Sequence, residues 1–432
     1  MSAPLSVIEA RITATRPSGS ASIIETDRKF SRAADSTAAR LGNATLAYVV
    51  ATILVITLAP FRFYSHPVHG LYEEWTWFDL IMNIVMFMPL GFLYRVTRPR
   101  NSRSAKWNVV LLGALLSACI ESAQLFETTR FSSLFDIATN TLGGAVGSML
   151  YATFAHRLRV GANTVSIMAL ELPLMGLVYL LVPLLWLVGL SGTGTDRVWL
   201  MLPIAAFGGA ILGAVHGAYL QPMQRVRLSA VVMSGGVWFL ISSIPGGRHQ
   251  PSVVVVGTIV AMGAAYLRSI ATARSRVRSG PVRFELPTLR LVMPLFAAYL
   301  ALSALWPLNE ASGVWHGGLE LFPAISAELS QQQIFQALES SAAFCVVGYL
   351  IAEFRGRTND PYSAVFPRVL LWGGALVAML ELARGWHAQF GASALMASLA
   401  ITATIFGGWL YHLQRDHVRA LWTRDRGATK PS

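Results

Sequence analysis

Charged residues and cysteines are scarce in this chain of 432 residues. Only 13% of its residues are Asp, Glu, Lys or Arg, whereas 54% are hydrophobic. This balance excludes an ordinary soluble protein, because such proteins carry about 25% charged residues. The two cysteines, Cys119 and Cys345, lie in separate apolar segments, which argues against a disulfide framework and a thiolate metal site. We therefore expect a membrane protein with both cysteines in the core, no metal and no cofactor.

The net charge of +12 raises the question of nucleic-acid binding. The basic residues, however, lie in short clusters between apolar runs rather than along one helix face. Counting apolar windows of about 18 to 25 residues predicts twelve membrane-spanning helices. The chain is thus predicted to be all-α and polytopic, with the lipid bilayer as its partner and no nucleic acid. The windows begin near residues 41, 76, 107, 134, 165, 197, 228, 252, 289, 333, 367 and 392.

The distribution of basic residues predicts the orientation of these helices. Arginine and lysine accumulate in every second short loop, for example in 95–106 and 268–283, which is the pattern of cytoplasmic loops. We expect both termini in the cytoplasm and the protein in the bacterial inner (plasma) membrane. Residues 1–40 contain no window long enough to span and are predicted to be a disordered cytoplasmic tail. The segment 41–60 is then the first span and the targeting signal.

Two apolar segments carry the same polar pattern, an Asp followed four residues later by an Asn. The pairs are Asp79 with Asn83, and Asp136 with Asn140. This spacing places both side chains on one helix face, one turn apart. A charged side chain at the bilayer centre costs about 2.5–3.5 kcal/mol on insertion scales. The pairs are therefore candidates for a functional site, with helix capping by each Asp as the alternative.

Further polar residues fall near the same end of these helices. Glu121 and Gln124 end the third predicted helix, and Arg130 lies in the loop after it. In the predicted topology all of them meet at the extracytoplasmic end of one four-helix unit. The carboxylates of Asp79, Glu121 and Asp136 are candidate catalytic proton donors or acceptors. The alternatives are interhelical hydrogen bonds and interfacial anchoring. The candidate substrate-binding residues are Asn83, Gln124, Arg130 and Asn140.

The combination of these motifs, D-x3-N-x5-P-x-G, E-x2-Q, R and D-x3-N-x2-G-G-x2-G, resembles the VanZ-like family. Its namesake is associated with resistance to the glycopeptide antibiotic teicoplanin. The resemblance covers about residues 41–158 and implies a polytopic envelope protein with a role near cell-wall or surface-glycan biology. Independently of it, Gly143, Gly144 and Gly147 are predicted to let helices pack closely, as small residues four apart do.

A fainter copy of these helices lies near the end of the chain. The segment 334–353 aligns with the second predicted helix, and further on Glu381 and Arg384 fall where Glu121 and Gln124 fall. Most of the polar set is replaced there, since Asp79, Asn83, Asp136 and Asn140 correspond to Gln336, Ser340, Met396 and Ala400. We predict three four-helix blocks, the first and last of which are parallel repeats. They cover residues 41–158, 165–270 and 289–415, before a basic cytoplasmic tail at 416–432.

These residues predict an envelope protein that binds, or also processes, a polar lipid or lipid-linked intermediate from the extracytoplasmic side. Arg130 is then the group that binds an anionic headgroup. Whether the protein is an enzyme stays open, as do two other classes of function. One is a proton-coupled transporter that uses Glu121 and Glu381, although transporter sites usually lie at the midplane between repeats. The other is a non-catalytic scaffold for envelope assembly.

Overall fold

The computed structural model describes residues 19–68, 70–71, 76–96, 104–157, 172–223, 228–247, 250–279, 285–307, 313–318, 330–355, 360–387 and 391–428. A short 3-10 helix, Asp196–Leu200, precedes α6, and the two-residue strands β1 (Gly317–Gly318) and β2 (Ala392–Ser393) pair in parallel. The twelve α-helices are α1 (Gly19–Leu58), α2 (Trp77–Val96), α3 (Ser104–Gln124), α4 (Leu134–Arg157), α5 (Leu172–Ser191), α6 (Met201–Met223), α7 (Leu228–Gly247), α8 (Pro251–Ser279), α9 (Glu285–Leu305), α10 (Gln331–Arg355), α11 (Tyr362–Arg384) and α12 (Ala394–Ala428).

The helices confirm the prediction of an all-α polytopic membrane protein. Ten of them are long and apolar enough to cross a membrane. The other two are α7, whose apolar part is short, and α4, whose hydropathy is lowered by residues such as Asp136 and Asn140. The largest difference from the predicted bounds is at α1, which begins at Gly19. Residues 19–40 are therefore helical where a disordered tail was predicted, and residues 1–18 lie outside the described part.

Helices α2 and α4 approach each other closely enough for backbone to meet backbone. A Cβ atom added to Gly91 would meet the carbonyl of Gly144, and one added to Gly147 would meet the carbonyl of Met88. Gly143 faces the backbone of Ile84 in the same way. The prediction of close packing is confirmed for Gly143 and Gly147, because any side chain there would force the helices apart. A Cβ at Gly144 would make only an ordinary contact with Val109 of α3, at 3.8 Å.

The other two blocks contain the same kind of close helix pair. In the middle block, Gly209 and Gly213 of α6 face the carbonyls of Ala261 and Ala265 of α8. In the last block, Gly348 of α10 faces the carbonyl of Thr404 of α12. In each block the second helix thus packs tightly on the fourth. The duplication of the first block in the last remains a prediction.

The three blocks share one apolar core. It includes Ile53 of α1, Leu185 of α5, Phe207 of α6 and Val346 of α10. Helix α12 packs on α1, and α5 packs on α10. Cys345 is buried in this core as predicted, but Cys119 is exposed on α3, because it lies on the helix face that points away from α4.

Candidate functional site

A hydrogen bond between α2 and α4 lies at the centre of the predicted site. Asn83 Nδ2 donates to Asp136 Oδ1 at 2.8 Å and to Thr139 Oγ1 at 3.2 Å. Asn83 lies two turns into α2, and Asp136 lies in the first turn of α4. The two side chains meet because the neighbouring backbone of Ile84 contacts Gly143, about two turns after Asp136 in α4, and this contact holds the helices together. The structure therefore joins one residue from each Asp–Asn pair across the helix interface.

Glu121 lies beside this hydrogen bond, at the end of α3. Its side chain is only 5% exposed, and Oε2 accepts the backbone N–H of Ser133 at 2.7 Å. The charge of Asp136 acts on Glu121, and the charge of Asp79 acts on Asp136. Asp136 therefore lies near enough to both other predicted carboxylates to interact with them electrostatically.

One turn deeper, α3 and α4 are joined by a second polar contact. Asn140 Nδ2 donates to Ser117 Oγ at 2.9 Å, and both side chains are buried. Ser117 precedes Glu121 by one helical turn, so the contact continues the same face of α3. We name these residues the VanZ-end cluster, defined as Asn83, Ser117, Glu121, Asp136, Thr139 and Asn140.

Asp79 takes part in a capping box at the start of α2, in which the Thr76 hydroxyl accepts the backbone N–H of Asp79 at 3.2 Å. Its Oδ2 accepts the backbone N–H of Thr76 at 3.2 Å and the Thr76 hydroxyl at 2.6 Å. The capping alternative therefore holds for Asp79. It does not hold for Asp136, because Ser133 Oγ accepts the backbone N–H of Phe135 at the start of α4. The Asp136 carboxylate is thus available to Asn83.

Gln124 and Arg130 bind the end of α1. Gln124 Nε2 donates to the carbonyl of Thr57 at 3.0 Å. Arg130 donates from Nε to Ala59 and from Nη2 to Ile56, both at the last carbonyls of the helix. Such contacts satisfy carbonyls that have no partner within a helix. Burial lowers the pKa of the Arg130 guanidinium, and the charge of nearby Glu127 opposes this shift.

Sequence reasoning missed the role of Glu127. This side chain is fully buried in the loop between α3 and α4, where Oε2 accepts the backbone N–H of Thr129 at 2.7 Å. Residue 127 also pairs with Phe63 in an isolated antiparallel bridge. The sequence feature that could have identified Glu127 is its position in a short loop, three residues before Arg130.

Two amide oxygens near the cluster are buried without a partner in the part of the chain that the structure describes. They are Gln124 Oε1 and Asn140 Oδ1. A buried acceptor that makes no hydrogen bond carries a free-energy cost of about 1–3 kcal/mol. The cluster therefore combines carboxylates with amide acceptors that can bind a hydrogen-bond donor.

The comparison with protein families identifies the first part of the chain. Residues 29–155 match the VanZ/LLP1 family model. These residues form a VanZ-like domain. The match contains all seven predicted site residues and extends twelve residues further toward the N-terminus than the predicted start at 41. No curated protein and no solved structure matches the chain.

The last block repeats the glutamate contact of the VanZ-like domain. Glu381 Oε2 accepts the backbone N–H of Ser393 at 3.0 Å, as Glu121 does with Ser133. Glu381 also pairs with Arg384, at 2.9 Å between Oε1 and Nη1. At the position that aligns with Arg384, the VanZ-like domain has the uncharged Gln124. Chemically, the domain presents carboxylate and amide acceptors near the membrane surface.

Proposed function

We propose that the protein binds a polar lipid or a lipid-linked cell-envelope intermediate through its VanZ-like domain. The binding region is the VanZ-end cluster, at the end of the bundle where α2 and α4 begin. The observation that carries the proposal is the 2.8 Å hydrogen bond from Asn83 to Asp136, beside Glu121 and half-buried between apolar helices. Polar groups placed there are costly in a membrane, and such groups usually mark a functional site.

Comparison with the last block supports a functional role for these polar groups. Helices α10 and α12 pack through glycine as closely as α2 and α4 do. The positions that align with Asn83 and Asp136 hold Ser340 and Met396. A close helix pair of this kind therefore forms without the Asn–Asp contact. Its presence in the VanZ-like domain is better explained by a ligand than by folding.

The chemistry of the cluster indicates what part of a ligand it binds. Carboxylate and amide oxygens accept hydrogen bonds, so they favour a headgroup with hydroxyl or amide donors. Arg130 uses Nε and Nη2 on the carbonyls of α1. Within the residues that the structure describes, this leaves Nη1 to bind a phosphate of the same intermediate. In the predicted topology this end of the domain faces the extracytoplasmic side, where headgroups of envelope intermediates are exposed.

An isosteric charge change tests the proposal. Asp136→Asn keeps an oxygen that accepts from Asn83 and removes only the negative charge, and Glu381→Gln is the matched control in the last block. Each variant replaces the native protein in cells, and the folded yield in membranes and the sensitivity to glycopeptides such as teicoplanin are measured. We expect normal yield for both and altered sensitivity only for Asp136→Asn.

Three other results contradict the proposal. If Asp136→Asn lowers the folded yield as much as it alters sensitivity, the cluster serves folding, as in a scaffold. If Glu121→Gln and Glu381→Gln abolish function equally, a proton-coupled transporter with two glutamates explains the data better. If none of these variants changes sensitivity, the VanZ-end cluster is not the site.

Processing of the ligand is a separate step of the proposal. Asp136 and Glu121 are then the proton-transferring groups, because they lie together beside the donors of Asn83 and Ser133. Mass spectrometry of envelope lipids from cells with wild-type protein and with Glu121→Gln tests this step. Accumulation of one lipid species in the variant supports processing, and an unchanged lipid profile with altered glycopeptide sensitivity supports binding alone.

A further inference from the structure

A second polar site lies outside the VanZ-like domain, between the middle and last blocks. Arg197 of the 3-10 helix and Glu339 of α10 form a buried ion pair, with Arg197 Nη2 at 3.1 Å from both carboxylate oxygens. Their exposed fractions are 7% and 1%. Arg197 and Glu339 are 142 residues apart, so no local spacing pattern connects them. For this reason the sequence analysis did not identify the pair.

The carboxylate of Glu339 is fully engaged by protein donors. Besides Arg197, it accepts hydrogen bonds from the hydroxyl of Tyr299 on α9 at 2.8 Å and from that of Ser191 on α5. Arg197 in turn donates from Nη1 to the carbonyl of Ser303 at 2.8 Å. Only its Nε remains without a partner in the described residues, although the side chain is buried. This nitrogen has almost no accessible surface, so the donors and acceptors that a ligand meets belong to other residues of the lining.

The ion pair lines a pocket that a second ion pair also lines. Arg384 and Glu381, in the last turn of α11, are 2.9 Å apart and partly exposed. Their position at the end of the helix places the mouth of the pocket near the membrane surface. The polar groups of Gln336 and Ser340 complete the lining, and the remaining wall includes apolar residues such as Leu300 and Phe344.

The charge balance of this pocket restricts its ligand. Each of the two arginines already faces one glutamate, so the four charges sum to zero. An anion or a cation in the pocket would have to displace one ion pair and leave the opposite charge buried, which is strongly unfavourable. A hydroxyl group can accept from the amide of Gln336 and donate to the carboxylate of Glu381, both in the lining, without changing the balance.

The size of the pocket restricts the ligand further. Its volume is about 40 Å³, which holds about three water-sized groups, since one such group needs roughly 10–15 Å³. Two neighbouring hydroxyl groups on a carbon chain or ring match this space. We infer that the Arg197–Glu339 pocket binds the vicinal hydroxyl groups of an uncharged sugar or glycerol moiety. This inference does not rest on the proposed function, because no residue of the VanZ-like domain lines the pocket.

The test uses the purified full chain in a detergent without sugar groups. Its thermal unfolding midpoint is measured with monoglucosyl diacylglycerol, with the same diacylglycerol lacking the sugar, with free glucose and with phosphatidic acid. We expect the glucosyl lipid or glucose to raise the midpoint by several degrees and diacylglycerol to leave it unchanged. Phosphatidic acid can bind at Arg130, so any shift that it causes should not depend on the residues that line this pocket. A shift with glucose alone identifies a free sugar as the source of the hydroxyls, whereas a shift that needs the acyl chains identifies a glycolipid.

Two matched serine-to-leucine variants of α10 test whether the pocket is the binding site. Ser340→Leu places a larger side chain in the lining, and Ser341→Leu makes the same change one residue further along α10, at a position outside the lining. The sugar-dependent shift should fall at least fivefold in Ser340→Leu and persist in Ser341→Leu. Gln336→Leu, which removes a polar group at the lining, gives the same comparison if Ser340→Leu does not fold.

Several results overturn the inference. Equal sugar-dependent shifts in Ser340→Leu and Ser341→Leu would do so, as would a shift with diacylglycerol as large as with the glucosyl lipid. A shift with phosphatidic acid that Ser340→Leu abolishes, or no shift with any sugar, would also overturn it. Asp136→Asn should retain the sugar-dependent shift of the wild type. The pocket and the VanZ-end cluster can therefore fail independently.

Discussion

Glu121 and Glu381 make the same contact in two different blocks of the protein. Each accepts, through Oε2, the backbone N–H of the serine twelve residues further on, Ser133 at 2.7 Å and Ser393 at 3.0 Å. Each serine directly precedes a helix, α4 in the first case and α12 in the second. A carboxylate at the end of one helix thus fixes the start of the next.

The first prediction concerns the structural part of this contact. Glu121→Ala and Glu381→Ala should each lower the free energy of unfolding by about 1–3 kcal/mol, because a backbone N–H loses its partner away from water. Glu121→Gln and Glu381→Gln keep an acceptor oxygen and should cost less. Thermal unfolding of the purified variants measures this difference. Equal stability of the Ala and Gln variants would show that the contact does not contribute.

The second prediction concerns the glycines between paired helices. Gly91→Ala and Gly348→Ala should lower the free energy of unfolding by about 1–3 kcal/mol, as overpacking does, because the new Cβ would meet the backbone of Gly144 or Thr404. Gly374→Ala on α11 is the control, since a Cβ there meets no atom within 4 Å. Thermal unfolding should place the control near the wild type. A control as unstable as the other two would contradict this explanation.

The third prediction concerns the end of α1. Arg130→Ala removes two donors from the carbonyls of Ile56 and Ala59, so it should destabilise the protein by about 1–3 kcal/mol. Limited proteolysis should show faster cleavage near residue 60, because the end of α1 would fray. Arg290→Ala, at an exposed position of α9, serves as the control. Unchanged cleavage in Arg130→Ala would mean that these hydrogen bonds do not hold the end of the helix.

The fourth prediction concerns the buried ion pair of Arg197 and Glu339. Arg197→Met alone should destabilise the protein by about 3–5 kcal/mol, because it leaves a carboxylate buried without its cation. Combining it with Glu339→Leu should restore most of the stability, since no unpaired charge then remains. Thermal unfolding of the two single variants and the double variant provides the comparison. A double variant less stable than Arg197→Met would contradict it.

Much of the fold could be predicted from the sequence, because apolar length and charge distribution govern membrane helices directly. The start of α2 near residue 76, of α4 at 134 and of α7 at 228 were each predicted within one residue. The start of α1 was not, since its first turns up to about residue 40 are polar. Apolar length detects where a helix enters the membrane and not where it begins.

The candidate site was predicted in composition but not in its contacts. Spacing placed Asp79 and Asn83 on one helix face, yet Asn83 hydrogen-bonds to Asp136 on another helix and Asp79 caps its own. The partner of a side chain depends on how its helix is rotated relative to the neighbouring helix. Residue spacing within one helix carries no information about that rotation. The pair of Arg197 and Glu339 was missed for the same reason.

The backbone contact between α2 and α4 has a consequence for how the VanZ-like domain moves. Where glycine contacts backbone, no side chain can change its rotamer to separate the helices, so α2 and α4 should behave as one rigid body. The Asn83–Asp136 hydrogen bond crosses this helix interface and is therefore formed before any ligand binds. Little entropy is then lost in arranging it on binding, and the motion that admits a ligand must come from α1 or α3.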